Sequence, residues 1–314
     1  MPEKYNWIAL RGEFEVNPNN QVIDFKGKEE KAEGSGGSLV QPSNGLFISD
    51  QRFTGGEISA TFSFVGVGDF ASCEIVLGYD ANDGSMITAG IGPAPNMFVI
   101  RRLDRGRWET VASAGDRKNF KSGAYKCLVS VSGSMVTLTI NGVDVCHADV
   151  PFIWSGAQAG IICNSINPIK IHNYEVRSSP PKAFVVMQFS SDYNDLYQDV
   201  VVRVCREEGI EPVRADEQFG PGLIIADITR QIMESQIVIA EISPVNANVY
   251  YEVGYAHALD KPTILIAERK TELPFDLSAF RTLFYDNSIG GKARVEEGLR
   301  KHIRAIFNEG SGRS

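Results

Sequence analysis

Asn248-Val249-Tyr250-Tyr251-Glu252-Val253-Gly254-Tyr255-Ala256-His257-Ala258-Leu259-Asp260-Lys261-Pro262 decides the fold of the second half of this chain. Ahead of it runs Ile237-Val238-Ile239-Ala240, too short and too β-branched for a helix. After it comes Thr263-Ile264-Leu265-Ile266-Ala267, bounded by Pro262. The pattern predicts strand, loop, helix, strand, which is a βαβ unit of a parallel sheet. Ligands of open α/β sheets bind beyond the carboxyl ends of the strands. Glu252 falls there, in the expected first turn of the helix. Gly254, Ala256 and Ala258 let the helix pack closely, and Asn248 is suited to cap its start. A helix N-terminus favours an ionised carboxylate, the state a nucleophile needs. A lone glutamate at this place also reads as a complement to the helix dipole or a partner for an arginine.

The flanking segments extend the pattern. Residues 183 to 189, Ala-Phe-Val-Val-Met-Gln-Phe, read as a buried first strand, and Asp192 through Glu208 as an amphipathic helix closed by Gly209. Residues 211 to 217, Glu-Pro-Val-Arg-Ala-Asp-Glu, read as a second strand with polar groups at its end. Gly220-Pro221-Gly222 and a helix from Leu223 to Ser235 follow.

Phe184 to Phe189, Arg214-Ala215-Asp216, Asp227-Ile228, Ala240-Glu241-Ile242, Asn246 to Pro262 and Pro274-Phe275-Asp276-Leu277 together resemble the nucleoside 2-deoxyribosyltransferase-like family and the related TIR-like domains. The resemblance implies a flavodoxin-like, doubly wound α/β domain over residues 183 to 309. It also implies cleavage of an N-glycosidic bond by a glutamate on this helix, here Glu252. Gln188, Phe189 and Tyr193 follow the first strand, where relatives bind base or sugar, and either aromatic ring is suited to stack on a nucleobase. Asp216 and Asp227 are placed to accept from ribose hydroxyls, and Arg214 to clamp a phosphate as a bidentate donor. Asn246 and Asn248 occupy the loop where the transferases keep an aspartate, and Glu241 stands where many relatives have Asp. Other readings stay open: Asp227 balancing Arg230 at i+3, Arg214 pairing with Glu217, and Tyr255 serving as a core aromatic. His257, five residues beyond Glu252, lies off its face and reads as structural.

From Trp7 to Val176 the pattern is different. Short alternating runs such as Glu57 to Phe64, Cys73 to Tyr79, Met97 to Arg102, Tyr125 to Val131 and Met135 to Ile140 are separated by Gly, Asn, Asp and Ser clusters. Asn141-Gly142 is a hairpin signal. No helix is expected, so an antiparallel sandwich or jelly roll follows. Phe53 to Phe62, Gly123 to Lys126 leading to Asn141-Gly142-Val143, and Gly156 to Ile161 resemble landmarks of concanavalin-like lectin and laminin-G-like jelly rolls. That likeness concerns fold and does not imply sugar binding. Asp80-Ala81-Asn82-Asp83-Gly84 reads as a turn before a calcium site. Glu13, Glu15 and Glu57 propose no glycosidase dyad by spacing. Trp7, Trp108 and Trp154 offer either a stacking platform for sugar or packing. Residues 1 to 177 form this first domain, with a sensing or oligomerising role, 178 to 182 a proline-containing linker, and 310 to 314 a flexible tail.

The 314 residues carry a net charge of -8, which argues against general nucleic-acid binding, because phosphate neutralisation takes clustered Lys and Arg. No apolar run of about 18 residues predicts a membrane span, and the N-terminus lacks the regions of a signal peptide, so the chain reads as cytoplasmic. Five cysteines without CxxC spacing fit reduced core thiols and no metal site. The expected function is a nucleotide N-glycosidase acting on NAD or a related nucleotide as substrate, without a cofactor. By analogy with TIR-like effectors joined to sensor domains, it is expected to be an oligomeric antiviral defence enzyme regulated by the sandwich. Alternatives are a nucleoside 2-deoxyribosyltransferase, a non-enzymatic module binding a nucleotide signal, and a lectin activity of the first domain directed at a glycan or protein ligand.

Overall fold

The computed structural model describes residues 5–17, 22–34, 37–66, 68, 70–150, 157–188, 190–214, 224–243 and 245–309. The chain divides near Ser179 and Pro180 into two compact units.

The first unit is built from β1 (Trp7–Arg11), β2 (Phe14–Asn17), β3 (Val22–Phe25), β4 (Glu29–Gly34), β5 (Gly37–Phe53), β6 (Gly56–Phe64), β7 (Ser72–Tyr79), β8 (Met86–Ile91), β9 (Asn96–Asp104), β10 (Arg107–Asp116), β11 (Gly123–Ser132), β12 (Met135–Ile140), β13 (Val143–Asp149), β14 (Ala157–Ser165) and β15 (Ile169–Ser178). They form two antiparallel sheets, ordered β1-β5-β14-β7-β8-β9-β10 with β4 beside β5, and β13-β12-β11-β6-β15-β3-β2. Alternation drives the packing: Ile58, Ala60, Phe62 and Phe64 of β6 are buried and their neighbours are not. The inner faces meet where Cys73 of β7 lies beside Cys127 of β11. A jelly-roll-like sandwich is therefore present. At the β12–β13 hairpin both Asn141 and Gly142 have positive φ, 52° and 83°, as a two-residue type I′ turn requires.

Alternation fails on β7 and β8. Val76 and Met86 point away from the sandwich core, yet they are buried with Leu46, Ile48 and Ile162 in a second cluster on the outer face. The run Cys73 to Tyr79 is accordingly buried on both faces, with Glu74 its one charged member, a pattern that period-two reading takes for a simple core strand.

The second unit holds a five-stranded parallel sheet of β16 (Lys182–Val186), β17 (Glu211–Arg214), β18 (Ile237–Glu241), β19 (Thr263–Glu268) and β20 (Thr282–Tyr285), in the order β17-β16-β18-β19-β20. These strands are apolar because both faces are covered. Ala183, Val185, Ile239 and Ile266 pack with α1 (Ser191–Leu196), α2 (Arg203–Glu207) and α6 (Ile289–Glu309). Phe184, Val238, Ala240 and Leu265 pack with α3 (Ile224–Glu234) and α4 (Ala247–Ala258). A π-helical turn, Tyr197–Val202, joins α1 to α2, and the short α5 is Phe275–Ser278. The helix after β16 lies on one face and the helix after β18 on the other. The neighbouring carboxyl ends of β16 and β18 are thus the topological switch point, where such sheets open a crevice.

Boundaries differ from expectation in places. The first strand ends at Val186, short of residue 189, and the second at Arg214, with 215 to 223 outside the described residues. The helix before β18 ends at Glu234.

Candidate functional site

The sheet's carboxyl edge carries, in strand order, Arg214, Gln188, Glu241, Glu268 and Tyr285. Above it rises α4. Asn246 is its N-cap, with its side-chain oxygen accepting from the Asn248 N–H at 2.9 Å. The cap is therefore Asn246 and not Asn248, which is exposed on the first turn. Starting the helix at Ala247 moves Glu252 from the expected first turn to the second. The free N–H groups of a helix end and the dipole field fade within one turn. Glu252 consequently gains little from the helix N-terminus.

Val249, Val253 and Ala256 form the buried face of α4. Glu252 and Tyr255 lie on one flank, which faces α3, since the Tyr255 hydroxyl contacts Met233 Sδ at 3.9 Å. Tyr250 and His257 lie on the other flank, where His257 stacks on Phe280 with ring centroids 4.3 Å apart. His257 and Tyr255 are thus packing residues. Glu252 is half-buried, and among the described residues no hydrogen bond or ion pair holds its carboxylate. Loss of water alone raises its pKa to about 7.

Arg214 is buried at the end of β17. Its guanidinium lies 4.1 Å above the Tyr197 ring, with Nη1 3.9 Å from Met187 Sδ and Nη2 3.4 Å from Asn194 Oδ1. Stacking and these contacts fix the fork at the strand end. Gln188 follows two residues after β16 and is half-buried, and Tyr193 in α1 packs on the apolar cluster beneath. Asp227 makes an exposed ion pair with Arg230 at 2.7 Å. Phe189, Asp216 and Glu217 lie outside the described residues.

Glu241 stood out in the sequence only as a departure from the aspartate of many relatives, and its burial was not foreseen. Glu241, the last residue of β18, is 3% exposed. Its Oε1 accepts from the Ser243 N–H at 2.9 Å, and among the described residues its Oε2 has no hydrogen-bond partner. Ser243 Oγ in turn accepts from the Glu268 N–H at 2.7 Å and the Thr271 hydroxyl at 2.8 Å. Burial raises the Glu241 pKa to about 8, against the opposing pull of the Ser243 and Tyr285 contacts. Burial likewise holds the Tyr285 hydroxyl protonated. A charged residue closing the apolar run Ile237 to Ala240 was the available signal.

In the first unit, Trp7 stacks on Phe47 with centroids 4.7 Å apart, on edge strand β1. Trp108 lies on the opposite edge strand, β10, so the two cannot form one platform, and Trp154 is outside the described residues. Trp108 is 38% exposed and covers Arg101 at 4.2 Å. Arg101 grips the buried Glu74, which also accepts from the Thr88 hydroxyl at 2.6 Å. Glu13 and Glu15 are spent in ion pairs with Lys28 and Lys26. Asp80 to Gly84 is a turn, with Asp80 Oδ1 accepting from the Asn82 N–H at 2.8 Å. No described helix is long and apolar enough to cross a membrane.

No family profile and no curated protein matches the chain. Among solved structures it is similar to a carbohydrate-binding module of Bacillus subtilis, at 8% identity over 55% of this chain and 96% of that one, TM-score 0.45. It is also similar to a Caenorhabditis elegans galectin, at 14% identity over 48% and 96%, TM-score 0.31. A third is a CMP N-glycosidase of Clostridium botulinum, at 19% identity over 38% and 97%, TM-score 0.29. Likenesses of this size carry no argument about activity.

Proposed function

We propose that the second unit is a nucleotide N-glycosidase with Glu252 as its reacting carboxylate, and NAD or a related nucleotide as substrate. The observation that carries this reading is a half-buried carboxylate beside the switch-point crevice, without a partner among the described residues. A purely structural glutamate gains nothing from such a position, whereas a group that must meet developing positive charge does. As the bond from C1′ to the base nitrogen breaks, its electron pair leaves with the base and the sugar becomes oxocarbenium-like. The Glu252 carboxylate stabilises that cation or traps it at C1′. Water then adds its oxygen to C1′, the bond from C1′ to the Glu252 carboxylate breaking where it had formed, and the water's proton passes to solvent or to a base that left as an anion. A cationic base such as a pyridinium favours the ionised form of Glu252 already in the ground state. Arg214, fixed at the strand end, is assigned the phosphate.

Incubation of the full-length protein with NAD, nucleosides and nucleotides, followed by chromatography, tests this reading. Free base in the wild type and none with Glu252→Gln is the expected result. Base released equally by both proteins would contradict it. Adding an acceptor base separates hydrolysis from transfer.

A second reading concerns the first unit. The half-exposed Trp108 ring over the Arg101–Glu74 pair offers an apolar face beside a fixed donor, which suits a glycan. Loss of glycan-array signal in Trp108→Ala would support it, and a silent wild type would remove it.

A further inference from the structure

We propose that Glu241 is a second recognition group of the crevice, its orphan Oε2 donating a hydrogen bond to a carbonyl or carboxamide oxygen of the leaving base. The inference rests on the nucleotide-cleaving reading above and deepens it.

Placement comes first. Glu241 closes β18, the strand whose carboxyl end borders the switch point and whose next helix carries Glu252. Its side chain lies on the sheet face of α1 and α6, while Glu252 approaches from the face of α3 and α4. The two carboxyl groups thus address the strand ends from opposite sides of the sheet.

Satisfaction comes second. Leaving a carboxyl oxygen buried and unbonded, on a residue only 3% exposed, is unfavourable, and an apolar side chain of the same shape would avoid that cost. Ser243 Oγ accepts from the Glu268 N–H and the Thr271 hydroxyl, and its own O–H, though close to the Glu241 carboxyl, does not complete a hydrogen bond to Oε2. Tyr285 approaches closely enough to steady the charged form without completing a hydrogen bond to Oε2. A partner from outside the chain fits the vacancy in the hydrogen-bond pattern.

Chemistry then selects the partner. With its pKa near 8 the group is mainly a neutral acid at neutral pH, so Oε2 carries the proton and the ligand must accept. Nicotinamide, the oxopyrimidines and hypoxanthine all present a carbonyl oxygen, whereas unsubstituted purine and 3-methylpyridine do not. Oε2 is shut off from solvent, so binding displaces a neighbouring side chain. Tyr193, which packs against the same cluster from the first turn of α1, is the side chain assigned to move.

The test reads binding, not turnover. NAD and its 3-methylpyridinium analogue, and inosine and purine-riboside monophosphates, are titrated calorimetrically into full-length Glu252→Gln protein. The same titrations are made with Glu241→Gln or Glu241→Met added. Glutamine keeps an acceptor for the Ser243 N–H and a donor at the second position, so affinity should hold within about threefold. Methionine should weaken the carbonyl-bearing member of a pair about tenfold or more and leave the other unchanged. If the methionine chain does not fold, Glu241→Asp, which withdraws the carboxyl by one methylene, takes its place with the same expectation. Equal weakening of both members, no weakening of either, loss with glutamine, or no binding by any probe would overturn the proposal. Failure of the glycosidase reading shows separately, as no Glu252-dependent base release despite discrimination between paired probes.

Discussion

In the proposed mechanism Glu252 must be ionised to meet an oxocarbenium-like sugar, yet the fold withdraws it from water and no described cation compensates. Desolvation raises its pKa to about 7, so the carboxylate forms only as pH climbs through that value. The kcat/KM for base release is therefore expected to rise with pH up to about 7 and then level, with this limb reporting the free enzyme. A pH-rate profile checks it, and a rate already flat from about pH 5 would assign the chemistry to another group. Glu252 was legible in the sequence as a residue near the start of a helix that follows a strand. Its environment was not. Asn246 and Asn248 are both good caps, and residue type cannot choose between them, so the turn was misplaced by two residues. Burial of Glu241 was equally hidden, because Tyr285, which lies beside it, and Thr271, which bonds its partner Ser243, come from distant segments.

At the scale of elements, α4 is held by its cap and by a narrow stripe of Val249, Val253 and Ala256. Removing the cap with Asn246→Ala should cost about 1 kcal/mol, whereas Asn246→Asp should be nearly neutral, as urea denaturation will show. Equal loss in both variants would mean that the asparagine amide has a role beyond capping. The strands of the second unit were readable because both faces are covered, which makes them continuous apolar runs bounded by Pro and Gly. In the first unit, β7 and β8 defied their alternation, since the outer-face cluster around Val76 and Met86 depends on Leu46 and Ile162 from distant strands. No local window contains that information.

For the whole molecule, the raised pKa of Glu241 links folding to pH. A carboxyl with a folded pKa near 8 and an unfolded value near 4.5 binds more protons when folded, so its contribution is complete below about pH 4.5 and is lost as pH rises to about 8. Tyr285, Glu268 and Ser243 are the polar groups around it, and none is a cation that would rescue the charged form. Glu241→Gln should thus change the melting temperature little at about pH 5 and raise it relative to wild type at about pH 9. An equal shift at both values would contradict the assignment. All five cysteines are buried, Cys73 and Cys163 with their sulfurs 3.4 Å apart, and burial pushes the Cys205 thiol up to about 12. Native protein should therefore resist iodoacetamide at about pH 8 and take up five labels in urea, counted by intact mass. Rapid labelling of the native chain would mean that the unit holding the labelled thiol opens readily. The change in periodicity was legible in the sequence, and the chain divides into two compact units, but a role for the sandwich was not legible, because fold does not specify ligand. The central claim is that Glu252 breaks an N-glycosidic bond, and the direct measurement is free base released from NAD and the nucleotide panel by folded wild type and folded Glu252→Gln. Release by the wild type with a loss of about 10³-fold or more in the variant is expected; release that survives the substitution, or none from any substrate, would contradict the claim.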